Sequence, residues 1–329
     1  MMTAALRSMD RATSRLVGAP RPRWDAHDPF SCLSPWELTT SEALRVPHRF
    51  DLDRGRQLLE FAGLCTLPNA IDSALTLHCH DAALELNQQV RALLVQRGID
   101  PDGHAEFSFY GCHQRDPGRI DLRNHAAFDE APFDNPSLNM DAAWMPLVNL
   151  TLGGDARLLY KGLVMAEPGA GNQNYHRDAP LVTRNEWKLH EPDLPDKQVL
   201  LPAHCVVVFV PLVDIDTTNA PTDFLPGSQY ADSYMDSLLI GSPEPGDASS
   251  GARLPATLCV AAGDAIVFDA RVQHAGAAHQ GTCRRPLLYF LYSRPWFTVD
   301  MQRRLLEEAG VAEPGKIPEQ IFPLRSGSS

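Results

Sequence analysis

No stretch of the chain approaches the roughly 18 consecutive apolar residues of a spanning helix, so an integral membrane protein is not expected. Basic charge is also scarce. The 29 Lys and Arg face 41 Asp and Glu, for a formal charge of −12 over 329 residues, which opposes the basic footprint of a nucleic-acid binder. Cysteine is sparse and unpatterned. The seven cysteines are odd in number and form no Cys-x-x-Cys pair, which argues against a disulfide framework or structural zinc and suits a reducing compartment. Most sit in apolar runs, as Cys205 does before Val206-Val207-Val208-Phe209, and read as small buried hydrophobes. No internal repeat is found.

What remains is an ordinary globular composition, 44% hydrophobic, in a chain long enough for one large domain with a well-buried core. Residues 1–24 depart from it, with Arg7, Arg11, Arg15, Arg21 and Arg23 against Asp10 alone. Such a leader reads either as a disordered basic tail or as an organelle transit peptide. The expected location is intracellular and cytoplasmic, with mitochondrial or plastid targeting by residues 1–24 as the alternative. Three parts are expected: a basic leader and irregular segment over 1–50, one main domain over 51–300, and a C-terminal helix and tail over 301–329.

Within the main domain a short helix is predicted from Leu52 to Ala62, closed by Gly63, then a strand Leu64–Leu67 stopped by Pro68. From Asn69 to Arg97 apolar residues recur every three or four positions, which predicts a long helix with Asn69 as N-cap and Gly98 as stop. Glu106 to Cys112 reads as a strand. The segment from Arg115 to Arg123 reads as a charged turn and extended stretch, with Arg119 and Arg123 either facing an anionic substrate or stabilising the fold. From Leu147 onward come short apolar runs: Leu147–Leu152, Leu158–Met165, Cys205–Val213, Leu254–Val260, Ala265–Phe268 and Leu287–Tyr292. Many short strands separated by Gly, Pro and Asp turns predict a mainly β fold with flanking helices, built on a double-stranded β-helix (jelly-roll, cupin-like) core. Thr183–Leu201 and Ala231–Pro255 read as loops over the barrel mouth.

The chemistry centres on Asn172-Gln173-Asn174-Tyr175-His176-Arg177-Asp178. On an extended backbone His176 and Asp178 project to one side, so an imidazole and a carboxylate can meet one metal ion. Alone, His-x-Asp also reads as a surface hydrogen-bonding pair. Downstream, a strand-like run from Gly263 ends at His274, and Arg284 and Arg285 follow. His274 completes a two-His, one-carboxylate face of the kind that leaves Fe(II) with open positions. Arg285, eleven positions after His274, can fork onto a carboxylate of a dicarboxylic ligand. Gln173 and Asn174, beside His176, read either as orienting the ligands or a cosubstrate or as stabilising the turn. His104-Ala105-Glu106 is a competing His-x-carboxylate without the downstream series. His204 and His279 have no place in the pattern and read as structural or exposed.

These segments resemble the phytanoyl-CoA dioxygenase family of Fe(II)- and 2-oxoglutarate-dependent oxygenases. The resemblance is carried by Pro168-Gly169 through Asp178, Asn219 to Gln229 with Pro226-Gly227-Ser228, Gly263-Asp264, His274 with Arg285, and Tyr292 to Phe297. It departs at Gln229, where His is usual, and at Ala220, where Gly is usual. The resemblance implies His176, Asp178 and His274 as metal ligands and catalytic residues. It also implies Arg285 on 2-oxoglutarate, and Fe(II), 2-oxoglutarate and O2 as requirements, with ascorbate as a reductant. The expected reaction is hydroxylation of a small-molecule substrate with release of succinate and CO2. Asp178 favours it, because halogenating members of the superfamily carry a small residue there. The alternative is a catalytically degenerate β-helix that binds a ligand without turnover. The substrate and the oligomeric state are left open.

Overall fold

A computed structural model describes residues 40–103, 106–109, 111–179, 202–230 and 255–301. The basic leader, His104, the two long interruptions (but for Pro255) and the tail after Met301 lie outside the described residues.

Helix α1 (Leu52–Phe61) starts on Asp51, whose carboxylate accepts from the Arg54 amide at 3.1 Å. It ends at Gly63, whose φ of +82° suits only glycine at low cost. Any Cβ there would also press on Val272 and lie 2.5 Å from Gln229 Oε1. Strand β1 (Leu64–Leu67) follows, fully buried. The long helix α2 spans Ser73–Gln96, and its buried Leu75, Cys79, Ala83, Leu86, Val90 and Leu94 trace the expected apolar stripe. Its cap is Asp72, which accepts from the Leu75 amide at 2.8 Å, and not Asn69. Asn69 is instead a left-handed turn residue (φ 48°) whose amide donates to Asp264 Oδ1. Both residue types suit either role, so the sequence alone did not separate them.

Two other expectations need correction. The single strand over Glu106–Cys112 is broken at Gly111 (φ +77°) into a hairpin of β2 (Phe107–Phe109) and β3 (Cys112–Asp116). The apolar run Leu147–Leu152 is not a strand but the end of helix α3 (Met145–Leu152). Pro146 sits in its first turn and Gly153 (φ +94°) ends it, while Met145, Val148 and Leu152 bury at helical spacing. Six residues were too few to reveal that period.

The remaining strands are β4 (Arg119–Arg123), β5 (Arg157–Ala166), β6 (Cys205–Pro211), β7 (Thr222–Phe224), β8 (Ala256–Leu258), β9 (Ala265–Asp269), β10 (His274–Gly276) and β11 (Arg285–Ser293). They form an eight-stranded sheet in the order β1-β9-β6-β11-β5-β4-β3-β2 and a three-stranded sheet β10-β7-β8. Among the described residues every strand-to-strand pairing is antiparallel. Aromatic rings join the two sheets, Phe224 of β7 meeting Phe268 of β9 edge-on at 5.0 Å. The result is the expected jelly-roll core.

Strand β11 is the spine, buried along its length between β5 and β6. Its alternation divides two environments. Phe290 and Tyr292 face the helices, where Phe290 packs on Trp144 at 5.4 Å and the Trp144 indole donates to the Tyr292 hydroxyl. Arg285, Leu287 and Tyr289 face the lumen. Tyr289 lies across β5 because its neighbour there is Gly162: a Cβ at 162 would come within 2.5 Å of the tyrosine ring and closer still to the Leu122 carbonyl. Gly162→Ala should therefore destabilise the protein by about 1–3 kcal/mol through overpacking. Urea unfolding checks this, and a wild-type midpoint would contradict the packing.

Candidate metal centre

His274 opens β10 and pairs in register with Phe224 of β7. Opposite it, outside any longer strand, lies His176. The His176 amide donates to the His274 carbonyl at 2.9 Å, and the His274 amide donates back to His176 at 3.0 Å. Residues exchanging both bonds across an antiparallel pair point to the same side, and the two imidazole centroids are 4.4 Å apart. Asp178, two residues on, is anchored by its amide on the Ala270 carbonyl. Its Oδ2 lies 3.6 Å from His274 Nε2. Ligand atoms of His176, Asp178 and His274 all fall within 4.8 Å of one another, the one such His/Cys/Asp/Glu group among the described residues.

Backbone carbonyls fix the tautomers. His176 Nδ1 meets the Asn174 carbonyl at 3.0 Å, and His274 Nδ1 meets that of Val272 at 3.1 Å. A carbonyl only accepts, so each Nδ1 carries a proton, and in the neutral ring the lone pair is on Nε2. Burial holds the His274 imidazole neutral, lowering its pKa to about 4 against the opposing pull of Asp178. Its ring stacks on Phe224 (5.6 Å, 24°) and meets the edges of Phe268 and Phe209 at 5.0 and 6.1 Å. Two imidazole nitrogens and one carboxylate suit a divalent iron with open positions.

The scaffold behind the three is polar and tightly bonded. Arg177 points away from the centre, donating through Nε to the Arg271 carbonyl and through Nη2 to that of Ser228. Arg271 in turn forks onto the buried Asp269 carboxylate at 2.9 and 2.6 Å. Gln173 is spent on the protein: its Nε2 donates to Asp116 and its Oε1 accepts from the Gly276 amide. It splices the segment ahead of His176 to β10 and β3.

Arg285 is 3% exposed, and its Nε and Nη1 have no hydrogen-bond partner. Burial and the nearby Arg119 charge push its pKa down to about 9. Adjacent Arg284 turns to the other face and donates to Glu167 at 2.8 Å. A buried guanidinium with unused donors is complementary to a ligand carboxylate. Three lumen residues were not singled out from sequence as a group. Tyr289 donates to Asp121 at 2.8 Å and accepts from Arg123 Nε, while Arg123 also covers the Tyr160 ring at 4.9 Å. The alternation Arg119-Ile120-Asp121-Leu122-Arg123 was the available signal, since Ile120 and Leu122 are core. His279 is buried near the turn, where its Nδ1 accepts from the Gly281 amide. His204 is buried against Phe297 and Trp296.

A jelly-roll carrying a two-His, one-carboxylate face defines the class of non-haem metal oxygenases. The chain belongs to the phytanoyl-CoA dioxygenase family, whose model matches residues 62–287, and is an Fe/2-oxoglutarate-dependent enzyme. Similar solved structures include the epimerase SnoN from nogalamycin biosynthesis in complex with Fe3+, alpha ketoglutarate and nogalamycin RO. It is 16% identical, covers 84% of this chain and 96% of its own, and has a TM-score of 0.49. HygX from Streptomyces hygroscopicus with nickel and 2-oxoglutarate bound is 14% identical, with coverages of 74% and 87% and a TM-score of 0.48. The carbocyclase SnoK from nogalamycin biosynthesis is 13% identical, with coverages of 82% and 94% and a TM-score of 0.47. No helix among the described residues is long and apolar enough to cross a membrane.

His204 generates a pH prediction. Burial first, then the charges of Arg271 and Arg294, lower its pKa from 6.5 to about 3, with Asp269 opposing. The folded state thus prefers the neutral ring, and its contribution is fully present above about 6.5 and is lost as pH falls toward 3. His204→Phe should flatten the loss of stability between pH 7 and pH 4, measured by urea unfolding. An unchanged acid slope would contradict this.

Proposed function

We propose that His176, Asp178 and His274 hold Fe(II), that Arg285 receives the far carboxylate of 2-oxoglutarate, and that residues 51–300 act as one dioxygenase domain. The reaction is hydroxylation of a small-molecule substrate, consuming O2 and releasing succinate and CO2, with ascorbate keeping the metal reduced. The observation that carries the reading is the reciprocal His176–His274 backbone pair, which sets both imidazoles on one side, where ligand atoms of His176, Asp178 and His274 lie within 4.8 Å of one another.

Bound iron with 2-oxoglutarate supplies oxygen activation coupled to decarboxylation of the cosubstrate. The chain's own residues supply the rest. His176, Asp178 and His274 would hold the metal through two imidazole nitrogens and one carboxylate, a donor set that would leave positions for exchangeable ligands. The carbonyls of Asn174 and Val272 keep both rings in the ligating tautomer, and the rings of Phe209, Phe224 and Phe268 exclude water from the buried side of His274. Arg285 fixes the cosubstrate's direction by a planar, charge-assisted fork. Gln173 acts through the protein, holding the segment that carries His176 against β10.

Purified protein given Fe(II), ascorbate and 2-oxoglutarate should form succinate slowly even without its substrate. His176→Ala and His274→Ala should abolish this by losing the metal, and turnover in either variant would refute the ligand set. Arg285→Ala should raise the apparent constant for 2-oxoglutarate by about 10²–10³, the cost of unpairing a buried carboxylate, while metal affinity stays near wild type. Arg285→Lys should recover part of the loss. Arg284→Ala, on the opposite face, should leave the constant unchanged.

A further inference from the structure

A polar cluster stands in the lumen beyond the row of Arg285. Arg123 on β4 and Tyr289 on β11 both pair in register with Gly162 on β5, one from each side. Directly opposed residues share a sheet face, and the missing side chain at Gly162 lets the two meet over it, Arg123 Nε donating to the Tyr289 hydroxyl at 3.2 Å. That hydroxyl donates in turn to Asp121 Oδ1 at 2.8 Å, and Arg123 Nη2 donates to Asp121 Oδ2 at 3.3 Å. Burial, then the Asp121 charge, raises the Tyr289 pKa well above 10, so the hydroxyl keeps its proton. The Arg123 guanidinium also covers the Tyr160 ring at 4.9 Å. From β3, His113 stands in register opposite Asp121, and its Nδ1 meets the Ser108 hydroxyl at 2.8 Å.

The cluster is not closed on itself. Although they lie on inner sheet faces, the side chains of Arg123 and Asp121 are 29% and 21% exposed, and Tyr160, Val164 and Phe209 beside them are half-buried, while Ile120, Leu122 and Leu163 on the other face are buried. An inner face that water reaches is the wall of a cavity. Phe209, in register with Tyr289, has its ring 6.1 Å from that of His274, so the wall runs to the metal centre. Tyr289 lies four residues past Arg285 on β11, about 13 Å of strand, which is more than a five-carbon diacid spans. The cluster is thus separate from the place of a carboxylate on Arg285. Among the described residues Arg123 Nη1 makes no hydrogen bond, and each Asp121 oxygen accepts a single one from a neighbour, half of what a carboxylate can take.

We propose that Asp121 and Arg123, braced by Tyr289 and Tyr160, anchor the substrate, and that the group they take is an uncharged pair of adjacent hydroxyls, as on a polyol or a sugar ring. This rests on the reading that the adjoining centre holds the metal and the cosubstrate. The charge balance selects the class. Arg123 offers N–H groups and Asp121 offers lone pairs side by side, so one hydroxyl that accepts and a second that donates satisfy both with charge-assisted hydrogen bonds. A carboxylate or phosphate would gain Arg123 and be repelled by the adjacent Asp121, and an ammonium would meet the reverse. Tyr289 is a positioning residue, accepting from one partner while donating to the other.

The test is a saturation-transfer NMR titration of the protein, loaded anaerobically with Zn(II) and 2-oxoglutarate, with probes that share a cyclohexane ring: a cis-cyclohexanediol with adjacent hydroxyls, cyclohexanecarboxylate and cyclohexylammonium. The diol should bind about 10-fold more tightly than either ion, the worth of a hydrogen bond to a charged group. Exchanging Zn(II) for Mn(II) should broaden its ring protons, which reports closeness to the centre. Arg123→Met and Tyr289→Phe should each remove the preference, and Tyr289→Phe, which keeps the ring, decides alone if Arg123→Met does not fold. A preference for the carboxylate or the ammonium, no preference, no binding of the diol, or a diol preference that survives the folded variants overturns the proposal. So does a bound diol that Mn(II) at full occupancy leaves sharp. Failure of the underlying reading shows separately: a protein that takes up neither metal refutes the centre, and the head-group preference, titrated without metal, still decides what the cluster takes.

Discussion

The centre depends on one short antiparallel pair, the two main-chain hydrogen bonds exchanged by His176 and His274. Ninety-eight positions separate the two residues in the chain, and no long strand carries His176. The exchange sets the register of the segment after Pro168-Gly169 against β10, together with the Gln173 amide on the Gly276 carbonyl. The surrounding bonds serve that register: Gln173 splices to Gly276 ahead of it, Asp178 to Ala270 behind it, and Arg177 to Arg271 and Ser228 beneath it. Because side-chain direction alternates along extended backbone, a slip of one residue would turn His176 and Asp178 away. The buried Asp269–Arg271 fork stiffens the turn on which Asp178 and Arg177 rest.

The same alternation sorts the charges around the barrel. Just ahead of β11, Arg284 turns outward to Glu167, which also receives Asn87 and Arg91 from α2, while Arg285 turns into the lumen. The outward clamp fixes the strand's start and thereby the inward direction of its neighbour. On β4, Arg119, Asp121 and Arg123 share the lumen face, while Ile120 and Leu122 build the core. Some of the lumen charge is matched, as by Asp121 and Tyr289 around Arg123. Arg119 has Asp116 opposite it on β3, while Arg285 keeps Nε and Nη1 without a hydrogen-bond partner.

Much of this was legible in the residues, and what was not has physical reasons. The strands of the barrel could be read because Val, Ile, Leu and Phe runs such as those at β6, β9 and β11 are bounded by Gly, Pro and Asp. Helix α3 was misread because the run Leu147–Leu152 is continuous in apolar residues and too short to show a period. The hairpin at Gly111 was missed because one glycine in an extended pattern also reads as a bulge. His176, Asp178, His274 and Arg285 stood out through their order along the chain. Gln173 stood out by position, but its amide faces the protein at both ends. The backbone exchange between His176 and His274 could not be read, since it depends on which distant segment pairs with an isolated extended residue. The Arg123–Tyr289 cluster was hidden for the same reason: it exists only in the register of β4, β5 and β11.

The central claim is most directly tested by a crystal structure of the anaerobic protein with Fe(II) and 2-oxoglutarate, with anomalous scattering collected at the iron edge. The account predicts one strong peak per chain, bound by Nε2 of His176, Nε2 of His274 and a carboxylate oxygen of Asp178, with the far carboxylate of 2-oxoglutarate on the Arg285 guanidinium. Iron held elsewhere, ligation through either Nδ1, or a cosubstrate directed away from Arg285 would contradict it.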